Sequence, residues 1–114
     1  MVGDSLRYAS PQVFNQLADP DATSSVEEDM SNDVYSFGVV AWEMLTRQRP
    51  WGDDSEEVIA TKVTNGIFLP TERVGAWSLV RSTVLSIINA TFVTDADERP
   101  SMAGINDQIC KLQE

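Results

Sequence analysis

With 114 residues, 42% of them hydrophobic, and a single cysteine, the chain has material for one compact domain and none for an internal disulfide. Eighteen Asp and Glu against eight Lys and Arg give a formal net charge of -10. This argues against nucleic acid, where cations must replace the counterions of the phosphate backbone, and against an anionic membrane surface. Histidine is absent, so the commonest general base near neutral pH is missing, and with one cysteine a structural zinc site and a Ser-His-Asp or Cys-His mechanism are excluded.

In chain order, residues 2–8 read as a loop, and Asp4 and Arg7 interrupt anything like a signal peptide. Ser10-Pro11 can open a short helix over Gln12 to Leu17, with serine as the cap and proline at the first helical position. Residues 18–30 hold Pro20, small polar residues and the run Glu27-Glu28-Asp29, and are expected to form an acidic surface loop. Ser31-Asn32 then caps a helix from Asp33 to Thr46. Val34, Phe37, Val39, Val40, Ala41, Trp42, Met44 and Leu45 go most of the way round it. Such a helix is expected to be buried on nearly all sides, although a buried strand over Val39 to Trp42 fits the same residues. It is too short to span a membrane, which takes about 20 apolar residues.

Pro50-Trp51-Gly52 marks a turn. Asp54 with Glu57 three residues on makes a capping-box pattern for a helix carrying Val58, Ile59 and Val63, which Asn65-Gly66 ends. A further helix is expected from Ala76 to Ala90, with Trp77, Val80, Val84, Ile87 and Ile88 at helical spacing. The last opens at Ser101 and carries Met102, Ile105, Ile109 and Leu112. The chain therefore reads as all-α: four main helices and one short one.

These residues carry a resemblance. Asp33 to Thr46 resembles the central helix of the C-terminal lobe of protein kinases, in its tyrosine-kinase and tyrosine-kinase-like form. Arg49-Pro50-Trp51 resembles the turn after it, Glu57 to Pro70 the next helix and its exit, and Asp97-Glu98-Arg99-Pro100-Ser101-Met102 the Arg-Pro-Ser motif opening the last helix. Upstream, Ser5 to Gln12 resembles the end of the activation segment and its Ala-Pro-Glu motif. One such motif is weak; five in order are a strong match.

The resemblance implies a partial kinase domain, residues 1–114, comprising the helical lobe only. Asp33 would hold the backbone of the catalytic loop, or be an ordinary carboxylate at a helix start. Val40 and Met44 would support the apolar column below the adenine ring, or be plain core. Ser5, Tyr8, Pro11 and Gln12 would shape the protein-substrate platform together with Trp51. Arg99 would pair with the glutamate of the Ala-Pro-Glu motif, but that position is Gln12. Leaving a buried charge uncompensated costs about 3–5 kcal/mol, and Glu98 is one acid that could substitute.

The motifs that handle ATP have no match: no Gly-rich loop, no strand lysine, no His-Arg-Asp and no Asp-Phe-Gly. ATP and magnesium belong to the complete family domain, and no catalytic, cofactor or metal residue is expected in this chain. The expected partner is a protein substrate or the remaining part of a kinase domain. Self-association through apolar surface around Phe37, Val40 and Met44 is a further expectation, as is an intracellular location. The alternative is a catalytically dead kinase-like scaffold, and behind it an unrelated helical domain.

Overall fold

The computed structural model describes residues 6–19, 21, 23, 25–71 and 79–111, with backbone alone over 79–82. A 3-10 turn at Leu6–Tyr8 leads into α1 (Pro11–Ala18), α2 (Val26–Thr46), α3 (Glu56–Thr64) and α4 (Leu79–Thr91). A second 3-10 turn, Ala96–Glu98, precedes α5 (Met102–Lys111). No strand occurs among the described residues, so the all-α reading holds. Ser5, Ala76, Trp77 and Leu112 lie outside the described residues, as does the side chain of Val80.

Several helix ends follow local chemistry. Ser10 caps α1, its hydroxyl accepting from Val13 N–H, with Pro11 at the first helical position. Ser101 Oγ accepts from Gly104 N–H at 3.0 Å ahead of α5. Past α3, Gly66 sits at φ +79°, a backbone conformation that glycine adopts without strain. The cap of α3 differs from expectation. Ser55 accepts from Val58 N–H, while Asp54 forms an ion pair with Lys62 at 2.7 Å.

The larger correction concerns residues 18–30. Helix α2 begins at Val26, capped by Ser25, whose hydroxyl accepts from Glu28 N–H. The acidic run is thus the first turn of the central helix and not a loop. Three carboxylates beside the exposed N–H groups of a helix start are stabilised by the macrodipole, so the same residues that suggest solvent also suit a helix N-terminus. Ser31 and Asn32 are consequently interior helix residues, and Asp33 is not at the helix start.

Helix α2 is the axis of the molecule. Tyr35, Val39 and Trp42 pack with Leu69, Ile88 and Phe92, and Val34 with Ile87 and Ile105. The Tyr35 and Phe92 rings lie 5.6 Å apart and tilted, and Phe68 stacks on Phe92 at 6.3 Å. Gly38 permits the close crossing of α2 and α4: a Cβ there would fall 2.8 Å from Thr91 Cβ and 3.3 Å from Phe92 Cε1. A smaller core, Ala9, Phe14, Ile59 and Val63, joins α1 to α3. Burial of α2 is not all-round. Val40 is 41% and Met44 74% exposed, and with Phe37, Ala41, Leu45 and Val84 they line an open apolar groove. Among the described residues no helix is long and apolar enough to cross a membrane.

Candidate functional site

Residues 7–12 are fastened to the helical body by one side chain after another. The Arg7 guanidinium donates to three carbonyl oxygens of the loop after α2: Pro50 at 3.0 Å, Gly52 at 3.0 Å and Asp54 at 3.2 Å. That loop needs holding. Arg47 and Trp51 take positive φ, 56° and 65°, and non-glycine residues keep such conformations only when their surroundings over-determine them. Trp51 packs against both the α2 core and the smaller core that joins α1 to α3, with the Lys62 ammonium 5.8 Å from its ring centroid.

Tyr8 donates its hydroxyl to the carboxylate of Glu43, 2.9 Å from one oxygen and 3.1 Å from the other. Its carbonyl accepts from Ser36 Oγ at 2.8 Å. Ser10, fully buried, donates to Asn32 Oδ1 at 2.7 Å while capping α1. One serine hydroxyl thus serves a helix cap and a buried tie to α2, an arrangement that leaves no polar atom of that pair stranded.

Gln12 completes the set. Arg99 Nη2 donates to Gln12 Oε1 at 2.7 Å, and Gln12 Nε2 donates to Thr94 O at 2.7 Å. Arg99 is 8% exposed. Its Nε donates to Val93 O at 3.0 Å and its Nη1 to Ser31 O and Oγ, both at 3.3 Å. The guanidinium carbon lies 5.0 Å over the Tyr35 ring, a cation–π contact. Burial pushes the Arg99 pKa down; Tyr35 and Asp95 push it the other way. Burial also raises the Tyr35 phenol to about 12, against a smaller opposing pull from Arg99. The expected uncompensated charge is therefore met differently. Glu98 does not substitute, and the hydrogen bonds of Arg99 all go to neutral oxygens. A buried cation with its N–H groups satisfied forfeits far less than one left bare.

Of the residues singled out from the sequence, Tyr8, Pro11, Gln12 and Arg99 come together here, with Trp51 beside them. Asp33 does not join them: it is exposed on α2 and its carboxylate makes no hydrogen bond or ion pair to a described residue. Val40 and Met44 lie in the open groove. Sequence reasoning missed Ser31, Asn32, Tyr35 and Glu43. A lone carboxylate in an apolar stretch is the signal that could have found Glu43, since an acid in such a place needs a donor.

Comparison with known proteins agrees with this architecture. The model of the protein tyrosine and serine/threonine kinase family matches residues 11–109. The chain belongs to the protein kinase family. It is 30% identical over 94 residues to "Probable serine/threonine-protein kinase SIS8" of Arabidopsis thaliana, covering 82% of this chain and 9% of that protein. It is 30% identical over 93 residues to the serine/threonine-protein kinase CTR1 of the same plant, covering 82% and 11%. The receptor-type guanylate cyclase gcy-4 of Caenorhabditis elegans matches at 26% over 114 residues, 95% of this chain and 9% of that protein. The chain thus spans about a tenth of the length of these relatives.

Proposed function

We propose that this chain is the helical-lobe part of a serine/threonine protein kinase domain, whose parent protein moves the γ-phosphoryl group of ATP to a hydroxyl of a protein substrate. The observation that carries the reading is the fastening of residues 7–12. The loop after α2 holds Arg7, two separate turns of α2 hold Tyr8 and Ser10, and Arg99 holds Gln12, a fixed surface of the kind a protein-substrate platform needs. The names of the two plant relatives favour serine/threonine over tyrosine as the acceptor.

The chemistry itself belongs to other segments. Phosphoryl transfer depends on phosphate cradling, magnesium and a base. Among the described residues no three or more Cys, Asp or Glu side chains converge as a metal-holding set. Asp33, exposed and unengaged, is proposed to meet the catalytic loop of the parent domain.

The test joins this chain to its upstream coding sequence and assays transfer of labelled phosphate from ATP to serine-, threonine- and tyrosine-containing peptides. Serine or threonine labelling is expected. Upstream sequence that carries His-Arg-Asp and Asp-Phe-Gly yet yields an inert, folded protein would refute the enzymatic reading. The isolated chain is expected to show no ATP binding by calorimetry, and micromolar binding contradicts that. A second reading, a kinase-like scaffold without activity, is favoured by Gln12 standing where the family motif carries glutamate, and by a relative named as a cyclase. Upstream sequence lacking both motifs selects it.

A further inference from the structure

Toward the N-terminal end of α2, beyond the Val40–Met44 groove, lies a second groove, of about 240 Å³. One wall is a single face of α2, where Glu27, Met30, Ser31 and Val34 follow one another at helical spacing. The other wall is the chain from Ala96 to Met102. Met30 is 57% and Met102 42% exposed, so two flexible thioether side chains open onto the groove, the type of surface that accommodates varied apolar partners.

Size and charge narrow what can enter. Pockets for cofactors and drug-sized ligands run from about 300 to 1,000 Å³, so this one suits one or two side chains. An anion is disfavoured. Arg99, the cation in the lining, already donates from Nε, Nη1 and Nη2 to protein oxygens. Glu27 and Asp97 stand exposed at the rim, and neither carboxylate has a hydrogen bond or ion pair to a described residue.

We infer that this groove docks a basic amphipathic protein segment: an apolar side chain between Met30 and Met102, flanked by lysine or arginine facing Glu27 and Asp97. The inference goes beyond phosphoryl transfer, since occupancy requires no nucleotide. It also bears on the substrate platform. Ser31 and Arg99 line the groove and Arg99 holds Gln12, so an occupant presses on the network that fastens residues 7–12.

The test uses the full chain with labelled methionine methyl groups. The probe is a synthetic amphipathic peptide of Leu, Lys and Ala, with analogues in which Glu replaces Lys or Ala replaces Leu. Saturable shifts of the Met30 and Met102 methyl signals are expected with the Leu–Lys peptide and not with either analogue. Glu27→Gln combined with Asp97→Asn is expected to weaken binding about three- to tenfold, as loss of two exposed ion pairs implies. The control pair Glu56→Gln and Glu57→Gln, acids outside the groove, is expected to leave it unchanged. Equal weakening by both pairs would overturn the site in favour of diffuse attraction to an acidic surface. Equal binding of the Glu analogue overturns the charge argument. Concentration-dependent methyl shifts without peptide assign the groove to a second copy of the chain, and shifts on adding anionic vesicles assign it to a membrane; either result overturns a basic peptide as the occupant.

Discussion

Replacing Gln12 probes the fastening of residues 7–12 most directly. In Gln12→Ala, Arg99 Nη2 loses its 2.7 Å acceptor and keeps only Thr94 O at 3.5 Å. A hydrogen bond to a charged group contributes about 1.5–3 kcal/mol. The exposed bond from Gln12 Nε2 to Thr94 O adds about 0.5 kcal/mol, so the substitution is expected to cost about 2–3.5 kcal/mol. Gln12→Glu restores the family's carboxylate, and here two effects compete. Making the acceptor ionic gains about 1–2 kcal/mol. Removing the amide donor loses about 1 kcal/mol and sets a carboxylate oxygen against the Thr94 carbonyl. The net at pH 7 is expected to lie within about 1 kcal/mol of the parent chain. The new carboxyl has a folded pKa depressed by Arg99, so its contribution is present above the unfolded value of about 4.3 and is lost as pH falls through the folded value. Urea titrations followed by tryptophan fluorescence at pH 7 and below pH 4 measure all three proteins. The reasoning is refuted if Gln12→Ala falls within 0.5 kcal/mol of the parent, or if Gln12→Glu is more stable by over 3 kcal/mol at pH 7.

Gly38→Ala is expected to lose about 1–3 kcal/mol in the same titration. Its methyl group collides with the buried Thr91 side chain, which donates to Ile88 O at 2.8 Å; overpacking and a displaced hydrogen bond outweigh about 1 kcal/mol of helix propensity. The double variant with Thr91→Ala should recover part of that loss, and strict additivity would place the strain elsewhere. Ser10→Ala removes a cap and a buried donor to Asn32 and is expected to cost about 2–3 kcal/mol, read as a lowered melting temperature. Alkaline titration tests Tyr35. Its pKa is raised from 10.0 to about 12, so the unfolded chain ionises first, and stability present below pH 10 should decline between pH 10 and about 12. Tyr35→Phe should remove that part of the decline.

Local chemistry written in the sequence decided much of the fold. Ser10-Pro11, Ser101 and Asn65-Gly66 act within a few residues of themselves, through a hydroxyl that reaches the next helical N–H or a backbone that tolerates positive φ, and the structure places helix ends at each. The apolar stretch after Asp33 marked the central helix for the same reason. The start of that helix escaped notice because Glu27-Glu28-Asp29 satisfies two physical descriptions, a solvated loop and a helix N-terminus. Only the Ser25 cap and the packing of Val34 and Tyr35 choose between them. The site depended on tertiary structure. Gln12 and Arg99 lie 87 residues apart, Tyr8 and Glu43 lie 35 apart, and no periodicity links partners at such distances. The sequence by itself determined that the chain is helical, where α1 and α5 begin and where α3 ends, and that glutamine stands at position 12. The fold decided that the buried guanidinium needs no carboxylate, because α1, α2 and the segment after α4 bring the neutral oxygens of Gln12, Ser31, Val93 and Thr94 to it.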